Sequence, residues 1–129
     1  MNKETLQYDS LLTGEVSGVA GVKLAASQQV KRGDLLELAV TESVSGSAVV
    51  RTLGSAFSRP AAAVKLGNLY AVAAEDCTTQ AEDTDKTVTV YLGGYFNPDA
   101  MRFGGASTAA DNALGLLAGG INLTRTQKA

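Results

Sequence analysis

Short runs of apolar residues, separated by polar turns, follow one another along most of the chain, a pattern typical of β-strands. The clearest example is Thr87–Leu92, in which Val88, Val90 and Leu92 fall on one face and threonine and tyrosine on the other. Further strands are predicted by apolar runs at Val22–Leu24, Leu35–Val40, Ala48–Leu53, Leu69–Ala74 and Ile121–Leu123. The pattern therefore predicts a domain built mainly from strands.

Glycine-containing turns are predicted to separate these strands. Gly33 and Asp34 predict a polar turn just before the Leu35 strand, and Gly93 and Gly94 predict that the Thr87–Leu92 strand ends or bulges there. The segment 43–47 is rich in serine and glycine, so its composition predicts a loop.

The hydrophobic period changes from two to helical spacing after Thr108. Thr108 is a plausible N-cap with Asp111 three residues later, close to a capping box, and Gly119-Gly120 provide a C-terminal stop. The apolar residues at helical spacing between them are Ala109, Ala110, Ala113, Leu114, Leu117 and Ala118. We therefore expect a mainly β domain with one C-terminal helix, in the α+β class.

The first 19 residues form the least globular part of the sequence. Leu6 and Tyr8 alternate at period two, but two apolar side chains cannot stabilise a free strand. One interpretation is a frayed terminus. The other is an arm that becomes a strand when it pairs with the exposed edge of a neighbouring protein. On either interpretation, residues 1–19 precede a single domain that spans residues 20–129.

Composition argues against several classes of function. The chain has 129 residues, a formal net charge of −2, no histidine and a single cysteine, Cys77. A near-neutral chain with scattered basic residues is poorly suited to nucleic acid, and a chain without histidine cannot form a histidine-based triad or metal site. The acidic segment 75–86 lacks the central glycine of a calcium loop. We expect no enzyme activity, no cofactor and no metal.

Neither a membrane span nor a secretory signal is predicted. No segment approaches the roughly 20 apolar residues that cross a bilayer, and the N-terminus lacks an apolar core followed by a cleavage site. With a lone cysteine, the chain is expected to be made and used in a cytoplasm.

Four segments, in order along the chain, resemble the head decoration (capsid cement) proteins of lambda-like tailed phages. The order and spacing of the segments carry this resemblance, which covers roughly residues 14–124. They are Gly21–Leu38 with its Ser27-Gln28 pair and Arg32–Leu36 turn, Leu69–Asp76, Tyr91–Asn97 and Leu116–Leu123.

The resemblance implies a small β-tulip or barrel-like domain with a flexible N-terminal arm. Members of that family form homotrimers at three-fold and quasi-three-fold positions outside the expanded head, and they clamp the shell against internal DNA pressure. The implied partner is the major capsid protein, and the implied location is the virion surface, with the host cytoplasm during assembly. The arm would be residues 1–19, and its candidate capsid-binding residues are Leu6, Gln7, Tyr8, Leu11 and Leu12.

Two other hypotheses remain open at this point. One is a β-rich module, displayed on a particle, that binds glycans or host surfaces; seven phenylalanine and tyrosine residues and no tryptophan weaken it. The other is a barrel-like accessory domain of an enzyme, since an apolar-Gly-Asp-Leu-Leu turn also occurs in such folds.

Overall fold

Strands dominate the structure, a computed structural model that describes residues 10–124. The strands of this part of the chain are β1 (Leu12–Lys23), β2 (Gln29–Val30), β3 (Leu35–Leu38), β4 (Val40–Ser45), β5 (Ala48–Leu53), β6 (Leu69–Ala73), β7 (Cys77–Thr78), β8 (Thr87–Phe96) and β9 (Ile121–Leu123). A 3-10 helix spans Pro98–Ala100, and one α-helix, α1, spans Ala109–Ala118. The prediction of a mainly β domain with one C-terminal helix is confirmed.

A five-stranded sheet forms the centre of the domain. Its order is β1-β8-β6-β3 with antiparallel neighbours, and β9 pairs in parallel with the end of β8. Single bridges from Phe57 to Leu24 and from Ser58 to Glu37 link the end of β1 to β3. The described strands do not close into a barrel. β2–β7 and β4–β5 form separate two-stranded sheets.

Both faces of the central sheet carry a hydrophobic cluster. In β6, Ala71, Val72 and Ala73 are all fully buried, because the side chains that point to opposite faces each meet one of the clusters. The first cluster contains Leu24, Val30, Leu36, Leu38, Phe57, Ala71, Ala73, Val88 and Val90. The second cluster contains Leu11, Leu35, Val72, Phe96, Met101, Leu116 and Ile121. The second cluster holds α1 against the sheet through Leu116.

The C-terminal helix begins and ends where its capping residues predict. The Thr108 side chain accepts from the Asp111 amide, and the Asp111 side chain accepts from the Thr108 amide, which completes a capping box. The amide of Gly119, the C-cap, donates to carbonyls of the last turn. Inside the helix, buried Asn112 accepts from the Val64 amide at 2.9 Å and donates to the Thr108 carbonyl at 2.6 Å. Asn112 thereby ties the helix to the loop beside it.

The prediction of a flexible arm over residues 1–19 is wrong for residues 12–19. These residues belong to β1, which pairs antiparallel with β8 from Leu12 opposite Phe96 to Lys23 opposite Thr87. The register shifts three times between Leu12 and Val19. The glycines of both strands permit this irregular, close pairing: a Cβ on Gly94, where φ is +137°, would lie 2.6 Å from the Glu15 carbonyl oxygen. The division between residues 19 and 20 therefore falls inside a strand.

The loop predicted over residues 43–47 is mostly strand. β4 continues to Ser45 and β5 begins at Ala48, so Gly46 and Ser47 alone make the turn of a hairpin. Gly46 has a φ of +65°, as a tight hairpin turn requires. The apolar run at Leu35–Val40 is also divided, because β3 ends at Leu38 and β4 starts at Val40.

The predicted turn at Gly33 and Asp34 is confirmed. The Asp34 amide donates to the Lys31 carbonyl at 2.9 Å, and Gly33 between them has a φ of +95°. A side chain on Gly33 would also meet the Ala100 carbonyl oxygen at 2.4 Å. Of the two outcomes predicted for Gly93 and Gly94, the irregular one is correct, since β8 continues through both to Phe96.

Candidate functional site

Asp34 is the centre of a buried ion network, which we call the Asp34 network. The carboxylate is 1% exposed. Arg102 binds both of its oxygens through Nε and Nη2, and the Lys31 amide donates to Oδ2 at 2.8 Å. The Arg59 Nε lies 3.9 Å from Oδ2. The network joins the turn before β3 to the segments that carry Arg59 and Arg102.

Arg59 extends this network to the backbone. Its guanidinium donates to the carbonyls of Leu35 at 2.6 Å and Phe103 at 3.0 Å. Burial lowers the pKa of Arg59, and the Asp34 carboxylate opposes that shift. Hydrogen bonding to Asp34 raises the pKa of Arg102. Arginine is not deprotonated in proteins, so both guanidinium groups are charged and the network ties these segments together electrostatically.

Arg32-Gly33-Asp34 has the sequence that certain cell-adhesion receptors bind, but the structure does not present it as an exposed recognition loop. Asp34 is buried, as described, and the Arg32 guanidinium donates to the Tyr91 hydroxyl at 2.8 Å and the Ala74 carbonyl at 3.0 Å. It also lies 5.5 Å from the centre of the Tyr91 ring, within cation–π range. The two charged side chains of the tripeptide are thus committed to contacts within the domain.

An apolar groove opens beside the C-terminal end of α1; we call it the groove. It has a volume of about 440 Å³, and its walls come from the segment before β6, from β8, and from α1 with the start of β9. Leu66, Leu69 and Leu92 expose 87%, 47% and 44% of their surface in its walls. Among residues 10–124, Lys65 is the one charged residue in its lining. Neither the leucines nor the groove was predicted as a site from the sequence.

Tyr70 lines the groove and hydrogen-bonds to Glu37. Its hydroxyl donates to Glu37 Oε2 at 2.5 Å and accepts from the Lys65 amide at 2.7 Å, and Asn68 donates to the same carboxylate oxygen at 3.2 Å. Burial, followed by the hydrogen bond to Glu37, raises the pKa of Tyr70 from 10.0 to about 12. This cluster fixes the loop that begins the groove.

The raised pKa of Tyr70 predicts a loss of stability at high pH. Above pH 10 the unfolded chain loses the Tyr70 proton while the folded chain retains it, so the free energy of unfolding falls as pH rises from 10 to about 12. For one proton the slope is at most about 1.4 kcal/mol per pH unit. Denaturant unfolding across this range should show a shallower decline for Tyr70→Phe than for wild type. Parallel curves for the two proteins would contradict the assignment.

A second apolar surface lies on the β4–β5 pair, which we call the hairpin. Val44, Val49, Val50 and Leu53 are each about half exposed or more, and the remaining hairpin residues are also exposed except half-buried Val40. Exposed apolar side chains that cluster on a protein surface are typical of sites that bind other proteins. The sequence predicted the β5 strand but not its exposure, since β-branched residues in a strand usually indicate burial.

Acidic side chains in the segment between β6 and β8 accept hydrogen bonds from backbone amides. Glu75 accepts from the Thr89 amide at 2.8 Å, Asp76 from the Arg32 amide at 2.8 Å, and Asp83 from the Gln80 amide at 2.6 Å. Cys77 is a half-buried free thiol beside the first core cluster. Within residues 10–124 no group of three or more acidic or cysteine side chains is arranged to hold a metal ion. No helix in this range is long and apolar enough to cross a membrane.

The predicted capsid-binding residues differ in their position and burial in the structure. Leu6, Gln7 and Tyr8 lie outside the described residues. Leu11 is a core residue, 1% exposed, and its carbonyl accepts from the Asn97 amide at 2.7 Å, so its selection as a docking residue is wrong. Leu12 begins β1 opposite Phe96 and is 40% exposed.

Comparison of the chain with protein-family models, curated proteins and solved structures gives no match.

Proposed function

We propose that this protein is a phage head decoration protein: a structural protein, not an enzyme, that binds the outside of the expanded head as a trimer. The observation that carries the proposal is the surface of the domain, which exposes apolar side chains on the hairpin and around the groove. Surfaces of this kind bind other proteins. The ordered resemblance of residues 14–124 to lambda-type decoration proteins supplies the kind of assembly.

The residues behind the resemblance occupy defined positions in the fold. The Arg32–Leu36 segment forms the turn of the Asp34 network and the start of β3. The other three segments form β6, the irregular end of β8, and the last turn of α1 with β9. They therefore include residues of all five strands of the central sheet and the end of α1, which supports a comparison of whole domains rather than of one short motif.

The mechanism would be stabilisation by binding. A protein that binds the expanded lattice, but not the unexpanded or dissociated shell, stabilises that lattice by about 2.7 kcal/mol per site at a hundredfold excess over Kd. Three contacts from one trimer make the second and third binding steps intramolecular, so that weak individual contacts give a tight clamp. Ordering of a terminal segment on binding would keep each single contact reversible.

The direct test mixes purified full-length protein with expanded, undecorated heads of the virus that encodes it. The proposal expects saturable binding at three-fold and quasi-three-fold positions, measured by co-sedimentation and imaging of the heads. It also expects decorated heads to withstand heating that disrupts bare ones. Binding to unexpanded heads with equal affinity, or no binding to expanded heads, would overturn it.

The segment before Ser10 is the remaining candidate for the capsid-binding arm. We expect a chain without residues 1–9 to keep its fold, since Leu11 and β1 are retained, but to bind heads at least about a hundredfold more weakly. A Leu6→Ser, Tyr8→Ser variant of the full chain should show the same defect. Melting temperature and head co-sedimentation would be measured for both. Full head occupancy by the truncated chain would place the docking surface elsewhere.

A further inference from the structure

The hairpin has one face that is mostly apolar. The cross-strand register places Val40 opposite Leu53, Val44 opposite Val49 and Glu42 opposite Arg51. Directly opposed residues point to the same side of a two-stranded sheet, and this side alternates with the other along each strand. We call this side the valine face; it holds two apolar pairs with the Glu42–Arg51 ion pair between them.

The opposite face of the hairpin is different in character. It pairs Thr41 with Thr52, Ser43 with Val50 and Ser45 with Ala48. Most of these residues are small or carry a hydroxyl group, so this face is suited to contact with solvent. The hairpin is thus amphipathic, although every residue of its valine face except half-buried Val40 is exposed. Isolated two-stranded hairpins are at best marginally stable in water, so this hairpin needs a covering surface.

The groove and the valine face are both mainly apolar; among the described residues the groove carries one cation, and the face carries an ion pair. The valine face is apolar except for its central ion pair, in which Arg51 Nε lies 2.9 Å from Glu42 Oε2 while the Glu42 side chain stays 53% exposed. The groove is concave and apolar, and Lys65 is the single charged residue that the described part of the chain contributes to its lining. The ammonium of Lys65 forms no ion pair with any residue in the described range, so it is available to a carboxylate from outside the chain.

We propose that the valine face of one copy of this protein packs into the groove of a second copy. Val44, Val49 and Leu53 would then be covered by Leu66, Leu69 and Leu92, and Glu42 would approach Lys65. The contact joins two different surfaces, so it is heterologous: each copy gives a hairpin to one neighbour and offers its groove to another.

The two surfaces adjoin one another within each copy. Asn68 lines the groove, and its side-chain oxygen accepts from the Val40 amide at 3.0 Å, which anchors the root of the hairpin. When the hairpin and the groove of each copy lie next to each other, successive copies can be arranged around a common axis. A heterologous contact gives a ring if the rotation between neighbouring copies closes. Only the number of copies, three, rests on the proposed function.

Two neighbouring valines provide a matched test of the contact. Val49 and Val50 lie side by side in β5 with 53% and 48% exposure, but on opposite faces of the hairpin. Val49→Glu should raise the protein concentration needed for half-assembly by about tenfold or more, because a charge would enter an apolar contact. Val50→Glu should change it by less than about twofold. Light scattering over a concentration series measures the mass, and circular dichroism checks the fold of both variants.

A mixing experiment tests whether the contact is heterologous. The Val49→Glu chain keeps an intact groove, and a Leu66→Glu chain keeps an intact hairpin. Each variant alone should be monomeric at concentrations where the wild type assembles, whereas an equimolar mixture should form a heterodimer through the one remaining pair of surfaces. If both remain monomeric when mixed, the two surfaces do not bind each other and the inference is wrong.

The same proteins separate failure of this inference from failure of the proposed function. If Val49→Glu assembles like wild type, a different surface joins the copies and the inference fails, whatever the protein does with heads. If Leu66→Glu assembles normally but no longer binds expanded heads, the groove binds the shell and the inference is again overturned. If the contact behaves as expected but the wild type ignores expanded heads, the proposed function fails and the inference stands.

Discussion

A chain that lacks residues 1–19 should not fold, whereas a chain that lacks only residues 1–9 should fold like the full-length protein. The longer deletion removes most of β1 and leaves β8 without its antiparallel partner from Val19 to Leu12. It also removes Leu11 from the second core cluster. Loss of one buried leucine costs about 2–5 kcal/mol, and a domain of this size is stable by only about 5–15 kcal/mol.

The two deletions form a matched pair that locates the start of the domain. Far-ultraviolet circular dichroism and thermal unfolding would be recorded for each chain. We expect a cooperative transition near that of the full-length protein after removal of residues 1–9, and none after removal of residues 1–19. A cooperative, unshifted transition for the shorter chain would mean that β1 contributes nothing to stability and that the arm extends to Val19.

Elements that are specified by neighbouring residues could be predicted from the sequence. The Thr87–Leu92 alternation identified most of β8, and the Thr108 and Asp111 caps with Gly119 identified both ends of α1. In β8 the hydrophobic period, and in α1 the capping side chains and the terminal glycine, favour the observed structure. Tertiary packing then only had to agree with a local preference. The helical spacing of the apolar residues did not identify the buried face of α1, because Leu114 and Leu117 are 82% and 51% exposed whereas Asn112 and Leu116 are buried.

The part of β1 before Val22 could not be predicted because its stability is not local. Residues 14–21 are mostly glycine and small side chains, a composition that predicts a loop or a linker. They form a strand because Gly93 and Gly94, far along the chain, allow the backbone of β8 to approach closely. This pairing depends on contact between two glycine-rich segments that are far apart in the sequence, and neither segment indicates which other segment it pairs with.

The candidate surfaces could not be predicted from the sequence for a similar reason, since they depend on contacts between distant segments. The predicted turn at Gly33 and Asp34 exists, but nothing nearby indicated that Asp34 is buried and bound by Arg102. Leu66, Leu69 and Leu92 look like ordinary core residues in their own segments. Only the arrangement of β6, β8 and α1 shows that they line an open groove.

The second large effect is expected from Asp34→Asn. Asparagine preserves the size of the side chain but removes the charge, leaving the guanidinium groups of Arg59 and Arg102 without their shared carboxylate. Breaking one side of a buried ion pair typically costs about 3–5 kcal/mol. Because the Arg102 side chain is 54% exposed and can be solvated again, we expect the lower end, about 3 kcal/mol. In a domain of this size that corresponds to a melting temperature lower by roughly 10 °C.

Asp85→Asn provides the matched control for this substitution. Asp85 also pairs with a cation, Lys23 at 3.3 Å, but its side chain is 87% exposed. Exposed pairs contribute little, so this variant should lose less than about 1 kcal/mol. Denaturant unfolding of both variants in the same buffer measures the difference directly. Equal losses would mean that burial adds nothing to the Asp34 network, and that the turn at Gly33 keeps its conformation without it. A large gap would identify the network as the connection that holds β3 to the segments around Arg59 and Arg102.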